Sequence, residues 1–281
     1  MKVVVTGAAG LTGGAVVRQL AARGHEVIAF VRREQHIDGA AAVLLGECRD
    51  PSSLSGALAG ADALIHVAGI SLGRDVAASG IDRLERLVAI SSAGIYSRHR
   101  QSAATYAAGE RAISACNPSA AFLRPTMIYG SSRDHNIHHI LSFAARFGFV
   151  PLFGSGSERI QPIHYEDVAR AACEVVEAAG VGPIDAGGAS PLSVREALAA
   201  VFHALGRRQR IIGVPLGPAL VVAGVLDHVR GGRIRERLER LSEDRSVEDQ
   251  RLVALTGFRP REFHEGLRQQ VLDMRREGLL G

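Results

Sequence analysis

The stretch that decides the fold is KVVVTGAAGLTGGAVVRQL, residues 2–20. Its first five residues, KVVVT, form a short apolar run that predicts a buried parallel strand. From Gly13 onward, apolar residues recur at helical spacing, and Gly24 ends the predicted helix. Between strand and helix lie Gly7, Gly10 and Gly13, spaced as G-x-x-G-x-x-G. A glycine turn in this position exposes the amides of a helix N-terminus to a phosphate group.

Each glycine of this turn has its own expected task. Gly7 allows a sharp turn, Gly10 leaves room for a pyrophosphate, and Gly13 permits close packing of the helix on the strand. The alternative is a glycine turn with a purely structural role. The position between a strand and a helix favours a dinucleotide site. The residues expected to contact the dinucleotide are Thr6, Gly7, Gly10, Leu11, Thr12 and Gly13.

Strand and helix patterns alternate along the first part of the chain. Further strands are predicted over residues 26–31, 41–45, 63–67, 87–91 and 120–124, and helices from residue 50, over 77–84 and over 103–116. This alternation requires parallel strands with helices on both faces. The sequence therefore predicts an α/β fold, a Rossmann-type doubly wound parallel sheet with a smaller C-terminal substrate lobe.

The pattern loosens after Pro125, where glycine and proline become frequent. We expect residues 1–130 to form the dinucleotide-binding Rossmann core, with residues 160–187 returning to it. Residues 131–159 and 188–281 are expected to form the substrate-binding lobe.

Within the lobe, helices are predicted over residues 137–147, 165–179 and 194–204. The apolar stretch 211–226 contains Pro215 and Pro218, which favours a buried loop and short helix, or a substrate lid, over membrane contact. Residues 131–156 and 211–228 are expected to shape the substrate pocket.

Composition narrows the classes of partner. The net charge is +4 and the pI about 9.3, and Lys2 is the only lysine. Acids alternate with the arginines of residues 207–251, so we expect a solvated helix face and no nucleic-acid or membrane surface. We expect a small-molecule substrate and a possible homodimer. Three scattered cysteines, Cys48, Cys116 and Cys173, and an N-terminus without signal-peptide features favour a reducing, cytoplasmic location.

Two arginines follow the second predicted strand. An NAD site would place an acid there to accept hydrogen bonds from the ribose, whereas arginine suits the 2′-phosphate of NADP. Arg32 and Arg33 therefore favour NADP(H), with NAD(H) possible. The alternative is a pair of solvent-exposed arginines at a strand end.

Several motifs resemble the short-chain dehydrogenase/reductase superfamily in its extended and atypical branches, which include epimerase/dehydratase-like and NmrA-like proteins. They are the glycine turn, TGAAGLTG, then residues 47–48, HVAG at 66–69, ISSAGIY at 90–96 and FLRPTMIYG at 122–130. Residues 161–169 and 255–267 extend the resemblance over most of the chain. It implies Ser92 as the active-site serine and cofactor contacts from Glu47, Cys48, Val67, Ala68, Gly69, Ser91 and Pro125.

The superfamily's usual catalytic pair is a tyrosine with a lysine four residues later, and this chain has no lysine to form it. One alignment makes Tyr106 the tyrosine and puts Glu110 at the lysine position. The other, which we prefer, matches Glu110 to an acid further down the helix, with Ser102 and Tyr106 at the pair's positions. This second alignment fits the number of residues that separate Glu110 from Arg124 in the sequence. We retain Ser92 and Tyr106 as catalytic candidates. For Tyr106, a structural role as a packed tyrosine with a satisfied hydroxyl is an equally weighted alternative.

Other polar side chains lie near the predicted strand ends. Tyr96, Arg98 and His164 are secondary catalytic candidates, and a structural role is favoured for His164. His135, His138 and His139 suggest a metal site, but no cysteine or paired acid completes it, so no metal is expected.

The sequence thus predicts an NADP(H)-dependent oxidoreductase of the atypical type that acts on a small carbonyl, alcohol or sugar-like substrate. Two alternatives stay open. One is an NAD(P)-binding epimerase or isomerase. The other is a non-catalytic dinucleotide-sensing regulator or assembly factor, which the missing lysine favours.

Overall fold

The computed structural model describes residues 1–99, 101–134, 136–230 and 234–280. Its strands are β1 (Lys2–Thr6), β2 (Glu26–Val31), β3 (Ala42–Leu45), β4 (Ala63–His66), β5 (Arg86–Ile90), β6 (Ala121–Pro125), β7 (Ile128–Tyr129), β8 (Val150–Phe153), β9 (Arg159–Ile160), β10 (Ile163–His164), β11 (Gly182–Ala186), β12 (Leu192–Ser193) and β13 (Ile211–Val214). Its α-helices are α1 (Leu11–Ala22), α2 (Pro51–Ala57), α3 (Gly73–Ala77), α4 (Ala103–Cys116), α5 (Ile137–Phe147), α6 (Tyr165–Glu177), α7 (Val194–Leu205), α8 (Leu216–Arg230), α9 (Ile234–Glu239), α10 (Gln250–Thr256) and α11 (Phe263–Arg276).

A seven-stranded parallel sheet, in the order β11-β6-β5-β4-β1-β2-β3, confirms the predicted doubly wound α/β fold. From β1 the chain builds outward through β2 and β3, then crosses back to β4 and builds in the other direction. The strand order therefore reverses between β1 and β4. Ligands of such sheets bind beyond the carboxyl ends of the strands at this reversal.

Alternation along β1 explains why the strand is apolar throughout. Val3 and Val5 point into the core under α1 and α6, whereas Val4 points to the opposite face. All three side chains are fully buried, because helices cover both faces of the sheet. A third apolar cluster, with Leu141, Phe202 and Leu267, joins α5, α7 and α11.

The seventh strand, β11, escaped prediction. Its sequence, GPIDA, contains glycine and proline and has no apolar run. It lies at the sheet edge and pairs with β6, with Pro183 opposite Phe122. Proline is tolerated there because an edge strand has one side that needs no hydrogen-bonded partner.

The short or frayed helical stretch expected over residues 77–84 is helical only in part. The chain forms α3 with flanking 3-10 turns at Ile70–Leu72 and Ile81–Arg83. Gly80 adopts a left-handed conformation, with φ of +74°, and so interrupts a helix at this point.

The buried loop and short helix expected within residues 211–226 is also wrong. Pro218 lies in the first turn of α8, where a missing N–H costs little, so the helix continues for 15 residues. Val221, Val222 and Val225 are exposed on it. Within the part of the chain that the structure describes, no helix combines the length and apolar character needed to cross a bilayer.

Candidate functional site

The glycine turn between β1 and α1 has the geometry of a phosphate loop. Gly7 adopts a left-handed conformation, with φ of +68°. A Cβ on Gly13 would lie 2.1 Å from the Gly7 carbonyl oxygen, so a side chain there would displace the turn from the helix. Gly10 is exposed and precedes the helix as its N-cap without a side-chain capping bond.

The first amides of α1 are available to an anion. The Gly10 amide donates to the Gly7 oxygen and the Gly14 amide to the Gly10 oxygen, both at 2.9 Å. Among the described residues, none accepts a hydrogen bond from the backbone amides of Leu11, Thr12 or Gly13. These amides lie at the positive end of the helix dipole. The loop therefore fits the pyrophosphate of a dinucleotide.

A buried histidine ties this loop to the end of β4. His66 is fully buried, and its Nδ1 lies 2.7 Å from the Thr6 hydroxyl while its Nε2 lies 3.0 Å from the Gly69 oxygen. Because a carbonyl oxygen only accepts, Nε2 carries the proton and Nδ1 accepts from Thr6. Burial lowers the pKa of His66 to about 4, so the ring is neutral at physiological pH.

The same contact brings two predicted cofactor motifs together. The Val67 amide donates to the Thr6 hydroxyl oxygen at 3.2 Å. A Cβ on Gly7 would lie 2.8 Å from the Ala68 nitrogen. Thr6, Gly7, Val67, Ala68 and Gly69 therefore form one continuous backbone surface at the β1–β4 reversal.

Arg32 and Arg33 emerge at the same sheet edge. They follow β2 directly, and both are exposed. Since Thr6 pairs with Phe30 in the parallel register, the two arginines lie beyond the strand that neighbours the glycine loop. Their contact with a 2′-phosphate stays a prediction.

Glu47 and Cys48, the expected adenine neighbours, differ in exposure. Glu47 is exposed, whereas Cys48 is buried beside Phe30. Burial raises the pKa of the Cys48 thiol to about 11, against a smaller opposing effect of its hydrogen bond with Thr6. The thiol is therefore un-ionised at neutral pH and acts as an apolar group beneath the glycine loop.

A cleft of about 780 Å³ opens beyond the carboxyl ends of β5 and β6. This volume is within the range of small-molecule sites. The cleft is lined by the segments 92–94, 96–99, 126–128 and 160–161, by Asn136, and by Arg240 and residues 242–247. Of the two segments expected to shape the pocket, residues 131–156 contribute Asn136 alone and residues 211–228 contribute nothing among the described lining residues.

Residues 240–247, which we call the strap, close one side of the cleft. The Arg245 amide donates to the Arg159 oxygen and the Arg159 amide to Asp244 Oδ1, each at 2.7 Å. The Val247 amide donates to Gln161 Oε1 at 3.0 Å. The strap is thus fixed by backbone bonds to residues some 85 positions earlier, and no local sequence signal identified it.

A polar network connects the cleft to the sheet. The Tyr96 hydroxyl donates to both carboxylate oxygens of Asp185 at 3.0 Å and accepts from Arg124 Nη1 at 2.7 Å. Arg124 also binds Glu110 through Nε, at 2.9 Å, and Nη2. The Ser91 hydroxyl donates to Glu110 at 2.5 Å. The Glu110–Arg124 contact agrees with the alignment that assigns Ser102 and Tyr106 to the positions of the usual pair.

Opposing charges act on the Tyr96 phenol. Burial raises its pKa, the hydrogen bond from Arg124 lowers it, and the neighbouring charge of Asp185 raises it, with a net increase. The side chain is nevertheless 56% exposed, so its hydroxyl is accessible from the cleft.

Ser92 and Tyr106, the two predicted catalytic residues, lie in different surroundings. Ser92 lines the cleft, and its Oγ accepts from the Gly94 amide at 3.0 Å, which leaves its proton available for donation. Tyr106 lies on α4 and packs, partly buried, against the cluster that contains Ile70 and Ile113. It is absent from the described cleft lining. Its catalytic role stays a prediction, and this packing favours a structural one.

Ser91 and Pro125, two expected cofactor contacts, are both buried at the strand ends. The Ser91 hydroxyl is occupied by Glu110. Arg133, which the sequence analysis missed, extends a guanidinium to the Ala9 oxygen of the glycine loop at 3.5 Å. It lies in an irregular loop, so no periodicity could identify it.

His164 has a structural role at the start of α6. Its Nδ1 accepts from the Glu166 amide at 3.3 Å, and its ring packs against Tyr129 and Tyr165. Burial, assisted by Arg261, lowers the pKa of His164 to about 4. The ring is therefore neutral near pH 7, and its 3.8 Å approach to Glu166 Oε2 is not an ion pair.

The histidines of the suggested metal site have no ligand cluster around them. His138 and His139 lie on α5 with ring centroids 5.3 Å apart. His135 lies outside the described residues. Across the described ranges, no group of three or more histidine, cysteine or acidic residues could hold a metal ion.

Comparisons with known proteins agree with this geometry. Residues 7–129 match the family model described as NAD(P)H-binding. The chain is similar to a ceramide reductase of Caulobacter vibrioides, at 28% identity over 80% of this chain and 76% of that protein. It is also similar to a 2-alkyl-3-oxoalkanoate reductase of Stenotrophomonas maltophilia, at 29% identity over 73% of this chain and 76% of that protein. UDP-glucose 4-epimerase from Thermus thermophilus, solved with NAD, has the same fold, with a TM-score of 0.72 and 24% identity over 98% of this chain and 99% of that one.

The sheet, the open helix amides and the matched domain define an NAD(P)-binding Rossmann protein. Over its whole length the chain has the fold of epimerase/dehydratase-like proteins such as this UDP-glucose 4-epimerase, and the match to the NAD(P)H-binding family covers its first half.

Proposed function

We propose that this protein is an NADP(H)-dependent oxidoreductase that interconverts a carbonyl compound and its alcohol. The observation that carries the proposal is the Tyr96 hydroxyl, held between Arg124 and Asp185 in a cleft at the sheet edge that also bears the phosphate loop. A hydroxyl beside a nicotinamide site is the acid or base that carbonyl reduction requires.

The two curated relatives support a reductase. Their names describe a reductase of ceramide in one and of a 2-alkyl-3-oxoalkanoate in the other. Because these substrates differ, the relatives support the reaction class and not one substrate. Arg32 and Arg33 support NADP(H) over NAD(H), since exposed guanidinium groups complement a 2′-phosphate.

The bound nicotinamide would supply a hydride to the carbonyl carbon in reduction and accept one in oxidation. Ser92 donates its hydroxyl proton to the carbonyl oxygen as a hydrogen bond and so orients it. Tyr96 exchanges its hydrogen bond to Asp185 for one to that oxygen, and it transfers its proton there as the C–O double bond becomes a single bond. The phenolate that results is stabilised by the guanidinium of Arg124, 2.7 Å away. Solvent returns the proton, because Tyr96 is open to the cleft.

Arg124 supplies part of what the missing lysine would supply. It places a permanent positive charge beside the phenol, and its own position is fixed by two hydrogen bonds to Glu110. Asp185 acts in the opposite direction, because its negative charge lies beside the phenol and favours the neutral form of Tyr96. The network thus keeps Tyr96 protonated at neutral pH, which is the form that carbonyl reduction requires before the proton is transferred.

The test measures binding and turnover separately. The purified full chain is titrated with NADPH and NADH by cofactor fluorescence, then assayed for cofactor oxidation with 3-oxo acids, their esters, long-chain ketones and sugar nucleotides. We expect tighter binding of NADPH and its oxidation with at least one carbonyl compound. Tight binding without oxidation by any of them would overturn the proposal.

A second candidate is a dinucleotide-binding protein without catalysis. One specific observation favours it: Tyr106, which the preferred alignment puts at the lysine position, packs against the core. An epimerase is a further alternative, supported by the fold. Product analysis separates it from the reductase, because an epimerase returns its dinucleotide to the starting redox state.

A further inference from the structure

One charged side chain of the cleft wall, that of Arg245, has no hydrogen-bond or ion-pair partner among the described residues. Arg245 lies on the strap and lines the cleft. Its Nε is buried and has no hydrogen-bond acceptor, and none of the described acidic groups lies within ion-pair distance of its guanidinium. Arg245 as a whole is half-buried, and an unpaired charge in such a position is unfavourable, so its presence beside a cavity points to a ligand that completes it.

The neighbouring acids are already used by the backbone. Glu243 accepts from the Ser97 hydroxyl at 2.6 Å and from the amides of Arg98 and His99 at 2.7 and 3.2 Å. Asp244 accepts from the Arg159 amide at 2.7 Å. These carboxylates hold the strap in place and are not bonded to Arg245.

The electrostatic surroundings of Arg245 also favour an incoming anion. Burial lowers the pKa of its guanidinium, and the positive charge of Arg240 lowers it further, although Glu243 and Glu158 act in the opposite direction. The arginine stays charged, because an ordinary guanidinium pKa lies far above neutrality. An anion between the strap and the cleft would offset the cost of burying the Arg245 charge and its repulsion from Arg240.

The position of Arg245 is fixed before any ligand arrives. Its amide donates to the Arg159 oxygen at 2.7 Å, and it forms a parallel bridge with Ile160. A backbone fixed in this way limits the space that the guanidinium can reach, and a guanidinium presents a fork of N–H donors to a planar or tetrahedral oxyanion. Ser92 and Tyr96 line the same cleft.

We propose that Arg245 binds an anionic oxygen group, a carboxylate or a phosphate, of the molecule that occupies the cleft. That this molecule is the substrate rests on the proposed function; that it is an anion rests on Arg245 alone. The substrate class would then be a hydroxy or oxo compound with an acidic head group.

The test compares Arg245→Gln with wild type by calorimetry in the presence of saturating NADP⁺. The probes are 3-hydroxy acids of increasing chain length, their methyl esters, and alkyl phosphates of matched length. Arg208→Gln is the matched control, because Arg208 is exposed and lies outside the described cleft lining. Thermal unfolding of both variants checks that the fold is retained.

We expect at least one acid or phosphate to bind wild type and to lose about 10- to 100-fold in affinity in Arg245→Gln, as for a lost charged hydrogen bond. Esters should bind both proteins equally, and Arg208→Gln should behave as wild type. The acid and phosphate arms identify the head group.

Three results would overturn the proposal. The first is that no acid or phosphate binds wild type, and the second is that acids and phosphates bind Arg245→Gln as tightly as wild type. The third is that Arg245→Gln loses as much affinity for NADP⁺ as for the acid or phosphate. The last would assign the anion to the cofactor. Acid binding that depends on Arg245, with no turnover of any carbonyl compound, would support this site while contradicting the proposed reductase.

Discussion

The phosphate loop and the cleft are built in opposite ways. The loop takes Gly7, Gly10 and Gly13 from seven consecutive residues, and it acts through backbone amides. The cleft collects side chains from segments between residues 92 and 247. Local spacing specifies a site of the first kind, because helix and turn geometry follow from neighbouring residues. A site of the second kind depends on tertiary packing, which decides which side chains meet.

The sharpest test of the cleft is a pair of hydroxyl deletions. In Tyr96→Phe, we expect the turnover number to fall by about 100- to 10,000-fold, because the proton donor is lost. NADPH affinity should be unchanged, since Tyr96 lies apart from the phosphate loop. Steady-state turnover and cofactor titration measure the two effects.

Tyr106→Phe is the matched control, because it removes the same hydroxyl from α4. We expect near-wild-type turnover, since Tyr106 packs against the core outside the described cleft lining. The reverse pattern, with Tyr106→Phe inactive and Tyr96→Phe active, would restore Tyr106 to the mechanism and remove Tyr96.

The loop can be tested by a pair of adjacent alanine substitutions. Gly13→Ala would place a Cβ 2.1 Å from the Gly7 oxygen, so we expect a loss of about 3 kcal/mol in the free energy of unfolding and loss of NADPH binding. At Gly14, the nearest atom to a new Cβ is the Ala8 oxygen, at 3.4 Å. Gly14→Ala should therefore keep cofactor affinity and gain up to about 1 kcal/mol from helix propensity. Denaturant unfolding and fluorescence titration decide, and equal behaviour of both variants would contradict the phosphate-loop assignment.

The sequence predicted the sheet and the glycine turn because both rest on short-range patterns. All six predicted strands of the central sheet lie within one residue of the observed bounds at each end, and the first two match the observed bounds. The edge strand β11 was missed, since glycine and proline conceal it. That strand carries Asp185, so the partner of Tyr96 was missed with it.

Part of the network around Arg124 could be predicted from the sequence. The spacing from Glu110 to Arg124 supported the preferred alignment, and the two side chains do meet. Tyr96 was a candidate without an assigned partner. Arg133 and Arg245 were not identified, because each reaches its position through contacts with residues far away in the chain.

Stability measured as a function of pH compares two buried histidines, one beside the phosphate loop and one at the start of α6. The pKa values of His66, beside the loop, and His164, in α6, are both lowered from 6.5 to about 4. The unfolded chain therefore binds more protons between these values, and stability falls as pH decreases from about 6.5 to about 4. Each histidine contributes up to about 3 kcal/mol to this loss.

Cofactor affinity should respond to one of these histidines and not the other. Protonation of His66 Nδ1 removes its acceptor for the Thr6 hydroxyl, at the base of the loop. We expect NADPH affinity to fall as pH decreases toward the folded-state pKa of His66, about 4, in wild type and in His164→Gln. In His66→Gln, affinity should be lower throughout and its pH dependence smaller. A pH dependence unaltered by His66→Gln would place its origin elsewhere.

The smallest expected effect concerns Arg32. At this position, recognition of the dinucleotide near the loop is expected to depend on a side chain and not on backbone amides. In Arg32→Ser, we expect NADPH affinity to fall by about 10- to 100-fold, because a charged hydrogen bond to the 2′-phosphate is lost. NADH affinity should change little, so the ratio of the two dissociation constants isolates the 2′-phosphate contact. Arg18→Ser is unsuitable as a control, because Arg18 lies on α1 near the loop; Arg208→Ser is distant and matched in charge. Equal losses for NADPH and NADH would mean that Arg32 serves the dinucleotide as a whole, and the preference for NADP(H) would lose its basis.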